Sequence, residues 1–89
     1  MINDSLIMIE KTTHIKILFF GQLVDITGVK ELALENVTDT NTLLTILHQR
    51  FPALVQSKYI IAVNQQMISE NISLTDNSIV ALLPPFSGG

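Results

Sequence analysis

The sequence predicts an α+β domain in which a mixed sheet of four to five strands carries one main helix on one face. Three observations predict it. Short runs of β-branched and aromatic residues recur along the chain, whereas one stretch alone, residues 42–50, sets apolar side chains at helical spacing. The resulting order is strand, strand, helix, strand, strand, strand, which segregates the helix instead of alternating it with strands. The chain has 89 residues, 47% apolar and 15% charged, which is enough core material for one small domain.

The elements follow in order. Residues 1–13 read as an extension ahead of the domain, because Asn3, Asp4, Ser5, Thr12 and Thr13 break any sustained pattern; Met8 is an alternative start. Ile15-Lys16-Ile17-Leu18-Phe19-Phe20 reads as the first strand, stopped by Gly21. Residues 22–27 form a short helical turn, with Gly28 suited to a positive φ at its end. Glu31-Leu32-Ala33-Leu34-Glu35 alternates charged and apolar residues, as a half-buried strand does. Asp39 or Thr40 caps the main helix, whose stripe is Leu43, Leu44, Ile46, Leu47 and Phe51. Pro52 disfavours helix at Phe51 and stops it there. Tyr59-Ile60-Ile61-Ala62-Val63 is a third strand and residues 65–68 a short fourth. Thr75-Asp76-Asn77-Ser78 makes a turn, and Ile79-Val80-Ala81-Leu82-Leu83 is the last strand. Pro84-Pro85 ends that strand, since neither proline can donate to a ladder. The domain thus spans residues 14–83, and residues 84–89 form a tail.

The first and last strands are the most apolar, which places them at the centre of the sheet. Both carry apolar side chains on two faces. Ile15, Ile17 and Phe19 point one way, Leu18 and Phe20 the other; Val80 and Leu82 oppose Ile79, Ala81 and Leu83. One helix covers one face, so the second face is left apolar and reads as a partner surface. The plainer alternative is that strand twist and loops cover it.

Composition excludes several functions. The net charge is −3 and the five basic residues, Lys11, Lys16, Lys30, Arg50 and Lys58, are scattered, which argues against nucleic acid. With no cysteine there is no disulfide, thiolate metal site or cysteine nucleophile. No apolar run approaches the roughly 20 residues that cross a bilayer, so no membrane partner and a cytoplasmic location are expected. His14 and His48 are too far apart for a local ligand motif, and no metal or bound cofactor is expected. Gly21 and Gly28 read as isolated turn residues. Asp25, Glu31, Glu35, Asp39, Glu70 and Asp76 read as a solvated surface, and Ser5 and Ser69 have no partners for nucleophilic work.

The tail carries the functional signal. The chain ends in Pro84-Pro85-Phe86-Ser87-Gly88-Gly89. Two glycines add nothing to a core and lose much backbone entropy on ordering. They offer a thin strand that threads a narrow channel and places a main-chain carboxylate at its end. The composition of the tail alone favours a frayed terminus.

Together, the Ile15-Lys16-Ile17-Leu18-Phe19-Phe20-Gly21-Gln22 start, Thr27-Gly28, Arg50-Phe51-Pro52, Ala62-Val63-Asn64 and the Val80-Ala81-Leu82-Leu83-Pro84-Pro85-Phe86-Ser87-Gly88-Gly89 ending resemble the ubiquitin-like β-grasp sulfur carriers. Within that family they are most similar to the small subunits of molybdopterin synthase. The resemblance covers about residues 14–89 and implies a ubiquitin-like β-grasp fold. It implies that an ATP-using activating enzyme adenylates the Gly89 carboxylate and that a sulfur donor protein converts it to a thiocarboxylate. It further implies that the tail enters the large subunit of the synthase and passes sulfur to cyclic pyranopterin monophosphate, in a heterotetramer of two large and two small subunits. On this reading the chain is the sulfur-donating subunit of a sulfurtransferase and is not catalytic alone. Gly89 and Gly88 carry the chemistry, Phe20, Met67 and Leu83 match apolar contacts with the large subunit, and Pro84, Pro85, Phe86 and Ser87 guide the tail. Met67 is equally read as a core gap-filler. The departures are Asp76-Asn77-Ser78, where the family carries a glycine and more acid, Val24, where a basic residue is common, and the first 13 residues. Rival readings are a carrier for thiamine thiazole synthesis, a ubiquitin-like modifier that forms isopeptide bonds through Gly89, and an interaction module with an inert tail.

Overall fold

The computed structural model describes residues 12–85. Most of the expected extension, residues 1–11, and the tail residues 86–89 lie outside the described residues. The elements are β1 (His14–Phe19), α1 (Gln22–Thr27), β2 (Glu31–Glu35), α2 (Thr40–Arg50), a 3₁₀ turn (Pro52–Gln56), β3 (Ile60–Val63), β4 (Gln66–Ile68) and β5 (Ser78–Leu83). They form one five-stranded mixed sheet in the order β2-β1-β5-β3-β4. β5 lies at the centre, parallel to β1 and antiparallel to β3, as the apolar character of the first and last strands requires. The fold is the expected β-grasp arrangement, with α2 as its main helix.

The ends of α2 follow from side-chain chemistry. Asp39 is the N-cap, accepting from the Thr42 backbone N–H at 3.0 Å. Thr40 is the first helical residue and is buried; its Oγ1 donates to Asn71 Oδ1 and accepts from the Ile72 N–H, both at 3.0 Å. These bonds pin the helix start to the segment that leads toward β5. Leu43 and Leu47 are fully buried against the sheet. At the other end Phe51 leaves the helical region before Pro52, and its ring meets Phe19 edge to face, with centroids 5.8 Å apart.

Three sequence expectations shift. Pro52 stops α2 and also opens the 3₁₀ turn, which buries Leu54 completely. Gln65 lies in a turn and not in β4, because Asn64 and Gln65 both take positive φ (50° and 72°) in the two-residue connection of the β3–β4 hairpin. Tyr59 precedes β3 and is anchored by its hydroxyl, 2.7 Å from His48 Nε2. The expected turns hold elsewhere. Gly28 closes α1 at φ 81°, and Asn77 takes the positive φ (70°) before β5 in place of a glycine.

The core lies between α2 and the face formed by Ile15, Ile17, Phe19, Val80 and Leu82, with Leu23, Val37, Leu54 and Leu74 closing its margins. Two carboxylates read from sequence as solvated surface hold this frame in place. Asp76 accepts from the His14 backbone N–H at 2.8 Å, tying the turn before β5 to the start of β1. Hydrogen bonds from the His14 backbone and side chain hold the Asp76 carboxyl below its ordinary range. Bonds from the Thr42 side chain and backbone and from the Asn71 amide do the same for Asp39.

A folded-state depression means that the stabilisation is present above the unfolded pKa, about 3.8, and is lost as pH falls through the lower folded value. The Asp39→Asn/Asp76→Asn double variant keeps two acceptors but cannot titrate at these sites. Its urea midpoint is expected to fall less steeply than the wild-type midpoint as pH drops below about 4. Equal slopes would show that neither carboxylate contributes to the acid limb.

Candidate docking face and tail root

Strand parity divides the sheet into two faces. Odd residues of β1 and even residues of β5 enter the core. Leu18, Ile79, Ala81 and Leu83 therefore point to the face opposite α2, and Phe20 continues it just beyond β1. β3 and β4 extend the same face, since Ala81 pairs with Ala62 and Ala62 with Met67. Phe20 is 43% exposed, Ile79 44% and Met67 63%, so among the described residues no helix or loop covers them. With Leu18, Ala62, Ala81 and Leu83 they line an open concavity of about 700 Å³, bordered by Asn64 and Gln65. The apolar character ends toward β2, where Lys16 lies 3.9 Å from Glu31 and His14 lies 3.5 Å from Glu35.

Phe20, Met67 and Leu83, singled out in the sequence, thus share one surface. The gap-filler reading of Met67 does not survive its exposure. Ala62 was missed, because only the pairing of β3 with β5 reveals that it belongs to this face. Val24 is half-buried against the core and lines a second depression of about 430 Å³ beside Phe20 and Gly21.

The tail starts at the edge of the same face. The Phe20 N–H donates to the Leu82 carbonyl at 3.1 Å. The next bond of a parallel ladder would need an N–H at position 84, which proline lacks. The Phe20 carbonyl instead accepts from the Leu23 N–H at 3.1 Å and opens α1. The ladder therefore stops at the point where β1 turns away. Pro84 is half-buried there and Pro85 is exposed. Phe86, Ser87, Gly88 and Gly89 lie outside the described residues.

Among the described residues the concavity is lined by apolar side chains with Asn64 and Gln65 at its border. Among the described residues, no group of three or more His, Cys, Asp or Glu side chains is placed to hold a metal ion, and no helix is long and apolar enough to cross a membrane. His48 faces Tyr59, whose hydroxyl burial pushes above its ordinary pKa. The arrangement can bind an apolar partner and present a chain end beside it.

Surface and core residues should separate in stability. Met67→Ala is expected to change the unfolding free energy by no more than about 0.5 kcal/mol. Leu82→Ala, on the same sheet but facing α2, should cost about 2–5 kcal/mol. Urea denaturation of both variants checks this, and a large loss at Met67 would return that residue to the core.

Comparison with known proteins bears on the same region. The model of the ThiS family matches residues 17–89. The molybdopterin synthase sulfur carrier subunit of Arabidopsis thaliana is 30% identical over 82 residues, covering 88% of this chain and 85% of the relative. Among solved structures, a chain from the complex of subunits 1 and 2 of the molybdopterin-converting factor of Helicobacter pylori has a TM-score of 0.67 at 25% identity, covering 86% of this chain and all of that one. Small archaeal modifier protein 1 of Methanosarcina acetivorans has a TM-score of 0.69 at 26% identity, covering 88% of this chain and 98% of that one. The family match runs from within β1 through the core strands to the Gly-Gly end, and on that extent the chain belongs to the ThiS family.

Proposed function

We propose that this chain is the sulfur-carrier small subunit of molybdopterin synthase. One observation carries the reading: an uncovered apolar face (Phe20, Met67, Leu83) adjoins the root of a Pro-Pro-Phe-Ser-Gly-Gly tail. The name of the Arabidopsis relative and the two-subunit complex from Helicobacter support the choice of pathway.

On this reading the Gly89 carboxylate attacks the α-phosphate of ATP on an activating enzyme, releasing pyrophosphate. A free carboxylate is a poor acyl donor because its leaving group would be oxide. The acyl-adenylate has AMP to lose, so a sulfur donor protein can displace it and leave a terminal thiocarboxylate. The apolar face then docks on the large subunit, and Phe86 and Ser87 line the path of the tail. Gly88 and Gly89 pass where a side chain would clash, and sulfur is delivered to cyclic pyranopterin monophosphate. Two carriers serve two large subunits in a heterotetramer. The chain contributes the sulfur and the docking surface, binds no cofactor of its own, and leaves the catalytic pocket to its partner.

A second reading rests on the likeness to small archaeal modifier protein 1, a protein named as a modifier. The same activated carboxylate would then be captured by a lysine amine, forming an isopeptide bond.

Intact mass of the chain purified beside its activating enzyme tests the choice. Exchange of one oxygen for sulfur in the wild type, absent from Gly89→Arg, is the expected result. Full loading of Gly89→Arg would overturn the channel argument, and lysine-linked conjugates in place of the thiocarboxylate would favour the modifier. Phe20→Asp should weaken binding to the large subunit roughly tenfold or more while shifting the thermal midpoint little. Titration calorimetry measures this, and wild-type affinity would remove Phe20 from the interface.

A further inference from the structure

The sequence reads Gly21 as an isolated turn residue, yet it lies in the tightest contact recorded for a glycine of the described chain. Its φ of 59° and ψ of −138° fall where side chains are strained. A Cβ built at this position would sit 2.6 Å from Pro84 Cγ and 3.4 Å from Pro84 Cδ. Carbon atoms in contact stay about 3.5–4.0 Å apart, so any side chain at position 21 displaces the Pro84 ring. Gly28 offers the internal contrast: it also has a positive φ, but a Cβ there meets nothing within 4 Å.

The contact sits at a fork. β1 and β5 run in parallel to Phe19 and Leu82, with one more bond from the Phe20 N–H to the Leu82 carbonyl. Beyond it, the first chain bends into α1 and the second leaves the sheet. Proline removes the ladder bond that would have guided the exit. At the exit the ring of Pro84 lies against the bare backbone of Gly21. Pro84 has no N–H to donate, so its backbone nitrogen adds no hydrogen bond that would hold the exit.

We infer that Gly21 is a positioning residue: it seats the Pro84 ring, and this contact sets the direction in which the chain leaves the sheet toward Gly89. The inference rests on the sulfur-carrier reading and adds to it a residue with no direct part in the chemistry. Its consequence is a split between docking and delivery. The apolar face and its affinity stay intact when the contact is lost, whereas the carboxylate arrives misaimed. A displacement of about 1 Å at a reacting centre can cost on the order of a hundredfold in rate.

The test uses the full chain with its adenylating enzyme and ATP, timing pyrophosphate release and measuring the dissociation constant by titration calorimetry. Gly21→Ala adds the clashing carbon. Pro84→Gly removes the ring and leaves Gly21 as it is, so one variant still reports if the other fails to fold. Each variant, confirmed folded by circular dichroism, is expected to bind within about twofold of wild type while kcat falls roughly tenfold or more. The double variant should lose no more than Pro84→Gly alone, because the contact is already absent. Wild-type kcat in the folded variants, or losses that multiply in the double variant, would overturn the role of Gly21. Absence of pyrophosphate release from the wild-type chain would instead overturn the carrier reading and this inference with it.

Discussion

β5 pairs with β1 on one side and with β3 on the other, and this central position dictates both the core and the candidate site. A strand flanked on both sides has no free backbone edge, so its alternate side chains must be dealt with by its two faces. Val80 and Leu82 are fully buried under α2. Ile79, Ala81 and Leu83 meet no such cover, and their neighbours Leu18, Phe20, Ala62 and Met67 complete an apolar surface. The parallel sense of the β1–β5 pair has a second effect. It brings the end of β5 beside the end of β1, so the tail leaves where Phe20 stands. The open apolar face and the tail root are therefore consequences of one pairing.

The uncovered face is a cost the isolated domain carries. A surface that served only stability would place polar residues at these positions, as β2 does with Glu31 and Glu35 on the same side. The contrast along one face, charged where β2 meets His14 and Lys16 of β1 and apolar from Leu18 across β5 to Met67, fits a surface meant to be covered in part. Apolar burial is non-directional, so such a patch supplies affinity without dictating chemistry. The specific geometry comes from elsewhere, from the point where the ladder ends.

Much of this was legible in the sequence because periodicity is local. A period of two assigned Leu18, Phe20, Ile79, Ala81 and Leu83 to one side, and the helical spacing of Leu43 and Leu47 gave α2 its buried stripe. The role of Asn77 at positive φ was legible for the same reason, since one residue type answers one backbone demand. What escaped involves residues distant in sequence. Asp76 looks like any turn acid until His14 is found to donate to it across a separation of 62 residues. Ala62 joins the open face only once β3 is known to lie beside β5. Gly21 resembles a turn glycine until Pro84 is seen against it. The 3₁₀ turn was hidden differently, because Pro52 signals both a stop and a start. Of the candidate site, the apolar residues and the Gly-Gly end were readable, and their common origin at the β1–β5 fork was not.

That common origin bears on how such a face could serve the proposed sulfur transfer. On the proposed function, binding through the sheet would convert the encounter of Gly89 with the partner's active centre into an intramolecular event, whose effective concentration depends on the link between them. The link is the six residues from Pro84 to Gly89, with a reach of about 20 Å when extended. A flexible link of that length would spread its end over a large volume, and most of the docked population would be unproductive. Prolines at its first two positions remove backbone freedom where it matters most, since an angular error at the root grows with distance along the chain. Glycines at the last two positions of the sequence restore freedom at the tip, where the proposed function calls for a thin chain. Stiffness at the root and slenderness at the tip are thus complementary. The stiff end is useful only if it is seated, which the bare backbone of Gly21 makes possible on the domain side.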